Sequence, residues 1–129
     1  MTTTIITFGT FDLFHIGHLN ILERAKSLGD RLVVGVSSDA LNFRKKNKLP
    51  CVNQENRMRI LKALECVDEV FLEESLERKA EYITLNGADV LVMGDDWEGK
   101  FDDMPCRVIY FPRTPSISTT SLIEQITSS

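Results

Sequence analysis

Phe8-Gly9-Thr10-Phe11-Asp12-Leu13-Phe14-His15-Ile16-Gly17-His18 is the stretch from which the fold can be read. A β-branched run, residues 2–7, precedes it. Leu19, Leu22, Ala25, Lys26 and Leu28 follow at helical spacing. The segment therefore reads as a strand, a tight glycine-bearing turn and the first turn of a helix. Small residues at Gly9 and Gly17 would let a ligand come close to the backbone. The free N–H groups and the positive dipole end of the helix favour an anion at that point. His15 and His18, the only two histidines, lie three apart and share a face if both sit in or near the first turn. Imidazoles, helix amides and glycines together describe a phosphate site.

Working outward, apolar runs and helical patterns alternate. Strands are expected over residues 5–8, 31–37, 67–72, 89–93 and 107–111, and helices over 18–28, 39–43, 54–64, 76–85 and 121–126. Gly29 ends the first helix, Asn53 caps the third, and Asn86-Gly87 stops the fourth. Residues 31–37 form the near-continuous apolar run of a parallel strand buried on both faces. The order predicts an α/β fold: a single Rossmann-like domain over residues 1–129, with a mostly parallel five-stranded sheet and helices on both faces. Ligands of such sheets bind beyond the carboxyl ends of the strands. The segments 8–18, 44–50, 94–101 and 113–120 all follow strands and converge on that edge.

The totals narrow the function. The 129 residues suffice for a core without disulfides or metals. A net charge of −4 argues against nucleic acid held on a diffuse basic surface. A polyanionic ligand must then meet a local positive cluster, and Arg44-Lys45-Lys46-Asn47-Lys48 supplies one. Cys51, Cys66 and Cys106 are odd in number and widely spaced, matching neither a disulfide framework nor a zinc site. With no signal peptide and no apolar run long enough to span a bilayer, the expectation is a soluble cytoplasmic protein without a membrane partner.

Gly9-Thr10-Phe11-Asp12 followed by the His-x-Gly-His of residues 15–18 resembles the nucleotidylyltransferase superfamily that includes the cytidylyltransferases for glycerol phosphate, choline phosphate and ethanolamine phosphate. Two further stretches carry the same resemblance in family order. Arg113-Thr114-Pro115-Ser116-Ile117-Ser118-Thr119-Thr120 is similar to the C-terminal Arg-Thr-x-Gly-Ile-Ser-Thr-Thr signature of the glycerol-phosphate members, with Ser116 in place of glycine. Met93-Gly94-Asp95-Asp96-Trp97-Glu98-Gly99-Lys100-Phe101 matches a loop of those members almost residue for residue. Read without the family, the first of these is a hydroxyl-rich helix start, with Ser121 and Glu124 as a capping box, and the second a surface loop.

The resemblance implies transfer of a cytidylyl group from CTP to glycerol 3-phosphate, in a homodimer, with Mg²⁺ carried mainly by the nucleotide phosphates. It makes His15, His18, Lys45 or Lys48, and Arg113 the catalytic set. Gly9, Thr10, Phe11, Gly17, Asp95, Thr114, Ser118, Thr119 and Thr120 join Arg113 around the nucleotide. Asp12, Lys45, Arg57, Asp95 and Trp97 belong to the acceptor pocket. No residue is expected as a dedicated metal ligand. One departure stands out: Glu65 occupies the position before Val67-Asp68-Glu69 where the family commonly carries an arginine for the acceptor phosphate. It keeps open an enzyme for another polyol or sugar phosphate, including one that uses ATP. A nucleotide-binding module without catalysis is the reading from another class.

Overall fold

The computed structural model describes residues 2–115 and 117–128; Ser116 lies outside them. The elements run β1 (Thr4–Gly9), α1 (Ile16–Lys26), β2 (Arg31–Ser37), α2 (Asp39–Lys46), α3 (Gln54–Lys62), β3 (Glu69–Glu73), α4 (Lys79–Leu85), β4 (Val90–Gly94), a 3-10 turn (Asp95–Trp97), β5 (Arg107–Phe111) and α5 (Thr119–Ser128). The strands form one parallel sheet in the order β3-β2-β1-β4-β5. Alternate residues of each strand face opposite sides, and both sides are covered. Ile5, Leu32, Val34 and Val92 pack with Leu22 and Ala25 of α1 and Leu61 of α3. Ile6, Val33, Leu91 and Met93 pack with Tyr82 and Ile83 of α4. This double cover is why the strands read as continuous apolar runs rather than alternating ones.

From β1 the chain proceeds outward to β2 and β3, then returns to place β4 and β5 on the other side of β1. The gap between β1 and β4 is therefore the topological switch point, where a crevice opens at the carboxyl edge. The loops after β1, β2, β4 and β5 meet there, as expected.

Several boundaries differ from expectation, each for a local reason. α1 starts at Ile16 because His15 acts as its N-cap. α2 continues to Lys46 and stops where Asn47 takes a left-handed conformation (φ 56°). Arg44, Lys45 and Lys46 thus lie on the last turn of a helix, where cations suit the dipole, instead of in a loop. α4 begins only at Lys79, since Leu76 closes a short turn by accepting the Lys79 N–H. α5 begins at Thr119: Ser118 Oγ accepts the Ser121 N–H, and Ser121 Oγ takes the Ser118 N–H and donates to its carbonyl. The cap is therefore one turn earlier than the Ser121–Glu124 box.

Glu65 is placed by the same topology. It follows the carboxyl end of α3 and precedes β3, so it sits at the amino edge of the sheet, opposite the crevice. Its charge does not face the converging loops.

Candidate active site

The crevice is a cleft of about 400 Å³. Its floor is the β1–α1 loop, and the loop's shape is set by residues rather than by glycine freedom. Phe11 and Leu13 both adopt left-handed backbone (φ 55° and 49°), a conformation that costs a non-glycine residue about 1–2 kcal/mol. Burial of Phe11 in the core offsets part of that cost. Between them Asp12 turns inward, and its carboxylate accepts the backbone N–H groups of Cys51 (2.8 Å), Val52 (2.9 Å) and Leu13 (3.1 Å). Asp12 thereby fastens the chain after α2 to the β1–α1 loop.

The two glycines clear space for the protein's own rings. A Cβ at Gly9 would come within 2.9 Å of the Phe11 ring, and one at Gly17 within 2.8 Å of the His15 ring. Any room for a ligand is what those rings leave.

His15 and His18 form the reciprocal cap of α1. His15 Nδ1 accepts from Gly17 N (3.0 Å), and His18 Nδ1 accepts from His15 N (3.2 Å). An Nδ1 that accepts an N–H carries no proton, so each neutral ring has its proton on Nε2. The rings are stacked with centroids 3.8 Å apart, and Phe11 packs edge-on against His18. Burial, and then the neighbouring His15, push the His18 pKa down to about 4, with Asp12 working the other way. Burial also lowers the His15 pKa. At neutral pH both imidazoles are uncharged, each with an Nε2–H to donate. The α1 N-terminus adds its dipole, and the α5 N-terminus reaches the same cleft. Thr119 Oγ1 donates to the Asp12 carbonyl (2.8 Å), locking α5 onto the β1–α1 loop.

Most of the expected residues line this cleft: Gly9, Thr10, Phe11, Asp12, His15, Gly17, His18, Lys48, Trp97, Arg113, Thr114, Ser118, Thr119 and Thr120. Three do not. Lys46, not Lys45, joins Lys48 at the wall; the Lys45 ammonium, its pKa lowered by burial, feels the charges of Glu73 and Lys79 instead. Asp96, not Asp95, faces inward, because successive residues of a 3-10 turn point about 120° apart. Asp96 holds Arg113 across the cleft at 3.1 Å. Arg57 is buried beneath the cleft: its Nε donates to the Val52 carbonyl, Nη1 to those of Thr10 and Ser37, and Nη2 to Asp39 (2.6 Å). It clamps the loops from below and offers the cleft no free edge.

Other wall residues were not singled out from the sequence. Asn20 and Arg24 extend the face of α1 that begins at Gly17; continuing the motif down its helix by threes and fours finds them. Asn20 Nδ2 donates to Thr114 Oγ1 (3.0 Å), and Arg24 stacks over Phe111 (4.6 Å). Asn42 of α2 also lines the cleft. Behind it, Lys79 is buried against Glu73 (2.7 Å) with its ammonium 3.8 Å above the Phe8 ring.

A family model described as cytidylyltransferase-like matches residues 6–125. The chain belongs to the cytidylyltransferase-like family. Relatives extend over nearly the whole length. The glycerol-3-phosphate cytidylyltransferase of Bacillus subtilis (strain 168) is 51% identical over 124 residues, 95% of this chain and 95% of the relative. That of Staphylococcus aureus (strain NCTC 8325 / PS 47) is 40% identical over 124 residues, 95% of this chain and 93% of the relative. A crystal structure of the lipopolysaccharide core biosynthesis protein from Thermoplasma volcanium GSS1 superposes with a TM-score of 0.71, covering 88% of this chain and 98% of that one. At 23% identity it shows that the fold is shared. Among the described residues, no helix is long and apolar enough to cross a membrane, and no three His, Cys, Asp or Glu side chains cluster as a metal site.

Proposed function

We propose that this protein transfers a cytidylyl group from CTP to glycerol 3-phosphate, giving CDP-glycerol and pyrophosphate. The observation that carries nucleotidyl transfer is the pair of stacked, neutral imidazoles at a helix N-terminus, both presenting Nε2–H to a cleft that also holds Arg113. The names of the near full-length relatives favour the cytidylyl donor and the glycerol-phosphate acceptor.

The chemistry needs no covalent intermediate. A phosphate monoester has a second pKa near ~6 and is largely dianionic at neutral pH. One of its oxygens attacks the α-phosphorus of CTP; the bond to the bridging oxygen breaks and pyrophosphate leaves with the electron pair. The protein's part is alignment and neutralisation of growing charge. His15 and His18 donate from Nε2 to phosphate oxygens. Arg113, freed from Asp96, holds the phosphate tail together with Thr114, Ser118, Thr119, Thr120 and the amides of α5. Gly9, Thr10, Phe11 and Gly17 shape the nucleotide side, and Trp97 with an aspartate of the 95–96 pair closes the acceptor side. Lys46 or Lys48 bridges the reacting phosphates, with Lys45 adding charge behind them. Asp12 acts as the fastener of this floor.

Mg²⁺ fits as a companion of the triphosphate. It prefers oxygen ligands and retains water, and with the Asp12 carboxylate engaged with amides and Asp96 paired with Arg113, the nucleotide phosphates would be its main ligands. When bound, the ion supplies neutralisation of the leaving phosphates. A cytoplasmic homodimer delivering CDP-glycerol to a cell-envelope polymer completes the reading, and light scattering checks the assembly.

The test is pyrophosphate release with Mg²⁺, pairing CTP, ATP, GTP and UTP each with glycerol 3-phosphate, choline phosphate, ethanolamine phosphate and a heptose phosphate. Release confined to CTP with glycerol 3-phosphate is expected. Release with a different pair overturns the substrates, and CTP binding without release overturns catalysis.

A further inference from the structure

Asn42 is 2% exposed, yet it lines the cleft. Its Nδ2 donates to the carbonyls of Ser37 (3.3 Å) and Ser38 (3.0 Å), and its Oδ1 accepts from Thr10 Oγ1 (2.9 Å). Two backbone carbonyls can only accept, so the amide's orientation is fixed. Its oxygen must face Thr10. That oxygen has no proton, so the Thr10 hydroxyl must donate its single proton to Asn42. Arg57 Nη1 meanwhile holds the Thr10 carbonyl at 2.8 Å. Thr10 is bracketed on both polar groups.

We infer that Asn42 is a positioning residue, which turns the Thr10 hydroxyl into an obligate acceptor within the cleft and registers the lysine face of α2 against the β1–α1 loop. The first half follows from proton counting. With its hydrogen committed, Thr10 Oγ1 has only lone pairs to offer. It suits a substrate hydroxyl or amine and cannot donate to a phosphate oxygen. The second half follows from helix geometry. Asn42, Lys45 and Lys46 stand at i, i+3 and i+4 and share a face of α2. Among the described residues, the Asn42–Thr10 bond is the one direct side-chain hydrogen bond between α2 and the β1–α1 loop. The cap of α2 is made separately by Ser38, whose side chain accepts from Leu41 N. The Oδ1 of Asn42 is therefore not used by the α2 cap and serves Thr10, while its Nδ2 ties the β2–α2 junction.

The inference rests on the proposed reaction, and a double-mutant cycle separates the two. Asn42→Ala, Thr10→Val and the double variant are assayed for kcat and for KM of each substrate, with urea unfolding of the same samples. Loss of a buried, satisfied hydrogen bond should lower kcat/KM about tenfold to hundredfold. The double variant should be no worse than the worse single one, and Thr10→Ser should regain most of what Thr10→Val loses. Additive losses, or an Asn42→Ala protein that unfolds more easily while both kinetic constants hold, overturn the inference. If Asn42→Ala does not fold, Thr10→Val against Thr10→Ser decides, since neither disturbs the Asn42 carbonyl contacts. If the wild type releases no pyrophosphate, the proposed reaction fails; the same cycle read in CTP affinity by calorimetry still tests the link, and non-coupled affinities then reject it.

Discussion

The loop after β1 and the segments after β2 and β4 reach the same cleft by different means. In the first, the groups that aim the functional side chains are already bonded within the protein. His15 and His18 cap a helix, Asp12 collects three amides including that of left-handed Leu13, and left-handed Phe11 is buried in the core. In the others, the charged side chains stand largely in solvent: Lys46, Lys48, Asp95 and Asp96 are all exposed. A group placed by several simultaneous bonds has one orientation, whereas a charge on an exposed turn is placed only by backbone phase. The first loop is thus pre-organised for its ligand. The other two are adjustable walls. Arg57 joins the two regimes, since it holds the Thr10 carbonyl from below while pairing with Asp39 at the start of α2.

The largest effect should come from breaking that joint. Arg57→Met removes a fully buried guanidinium and strands the carbonyls of Val52, Thr10 and Ser37. A buried acceptor left unpaired costs about 1–3 kcal/mol, whereas Asp39 is partly exposed and regains water, so a loss of about 3 kcal/mol or more from the carbonyls should be read from urea unfolding. An unchanged midpoint would mean that the two regions are held together elsewhere.

His18→Asn probes the rigid side alone. The asparagine oxygen stands near the place of Nδ1 and can keep the reciprocal cap, but the Nε2–H donor is gone. By analogy with other preorganised donors, kcat should fall about 10²- to 10³-fold. Circular dichroism should be unchanged. A variant that keeps wild-type turnover would remove His18 from the mechanism.

The same ring gives the rigid loop a pH signature. Its folded pKa, about 4, lies below the 6.5 of an unfolded histidine. The unfolded chain therefore binds the extra proton first, and stability falls as pH drops from 6.5 towards 4. The contribution is roughly 2–3 kcal/mol at most, since the ring is partly exposed. Comparing unfolding of wild type and His18→Asn across that window should show the variant losing less. Parallel curves would contradict the burial argument. Turnover should instead fall on the acid side at about pH 6, where the dianionic acceptor phosphate takes up a proton and becomes a monoanion.

Legibility in the sequence follows the same division. The strands were readable because both faces of the sheet are covered, and β5 falls on the expected residues 107–111. Glycine spacing and paired histidines marked the rigid loop, since such residues occur together where backbone and rings must fit. Arg57 carried no signal of burial: an arginine in a polar helix start looks like any other until Thr10, Ser37 and Asp39 are seen around it. The charge runs marked the segments that reach the cleft, and Lys48 lines it as expected, but Lys46 and Asp96 line it where Lys45 and Asp95 were expected, because the extension of α2 to Lys46 and the 3-10 turn at Asp95 set the phase. Glu65 shows the converse. Its reversed charge kept another acceptor open in a linear reading, yet the crossover from α3 to β3 carries it to the opposite edge of the sheet.

The smallest effect sharpens that last distinction. Asp96 reaches the cleft and pairs with Arg113, both partners well exposed, while Asp95 is not among the residues that line it. An exposed pair contributes no more than about 1 kcal/mol, so neither Asp95→Asn nor Asp96→Asn should change stability appreciably. Their kinetic effects should differ. Asp96→Asn frees Arg113 without shortening the side chain, so the cost of breaking the pair on binding disappears and KM for CTP should fall by a few-fold, up to about fivefold. High salt should shrink the gain, because an exposed pair is already screened. Asp95→Asn should leave the CTP KM within experimental scatter if the turn keeps the phase described here. If Asp95→Asn is instead the variant that weakens binding, the 3-10 turn must rotate when the nucleotide enters, and the wall after β4 would then be selected by the ligand where the loop after β1 is built in advance.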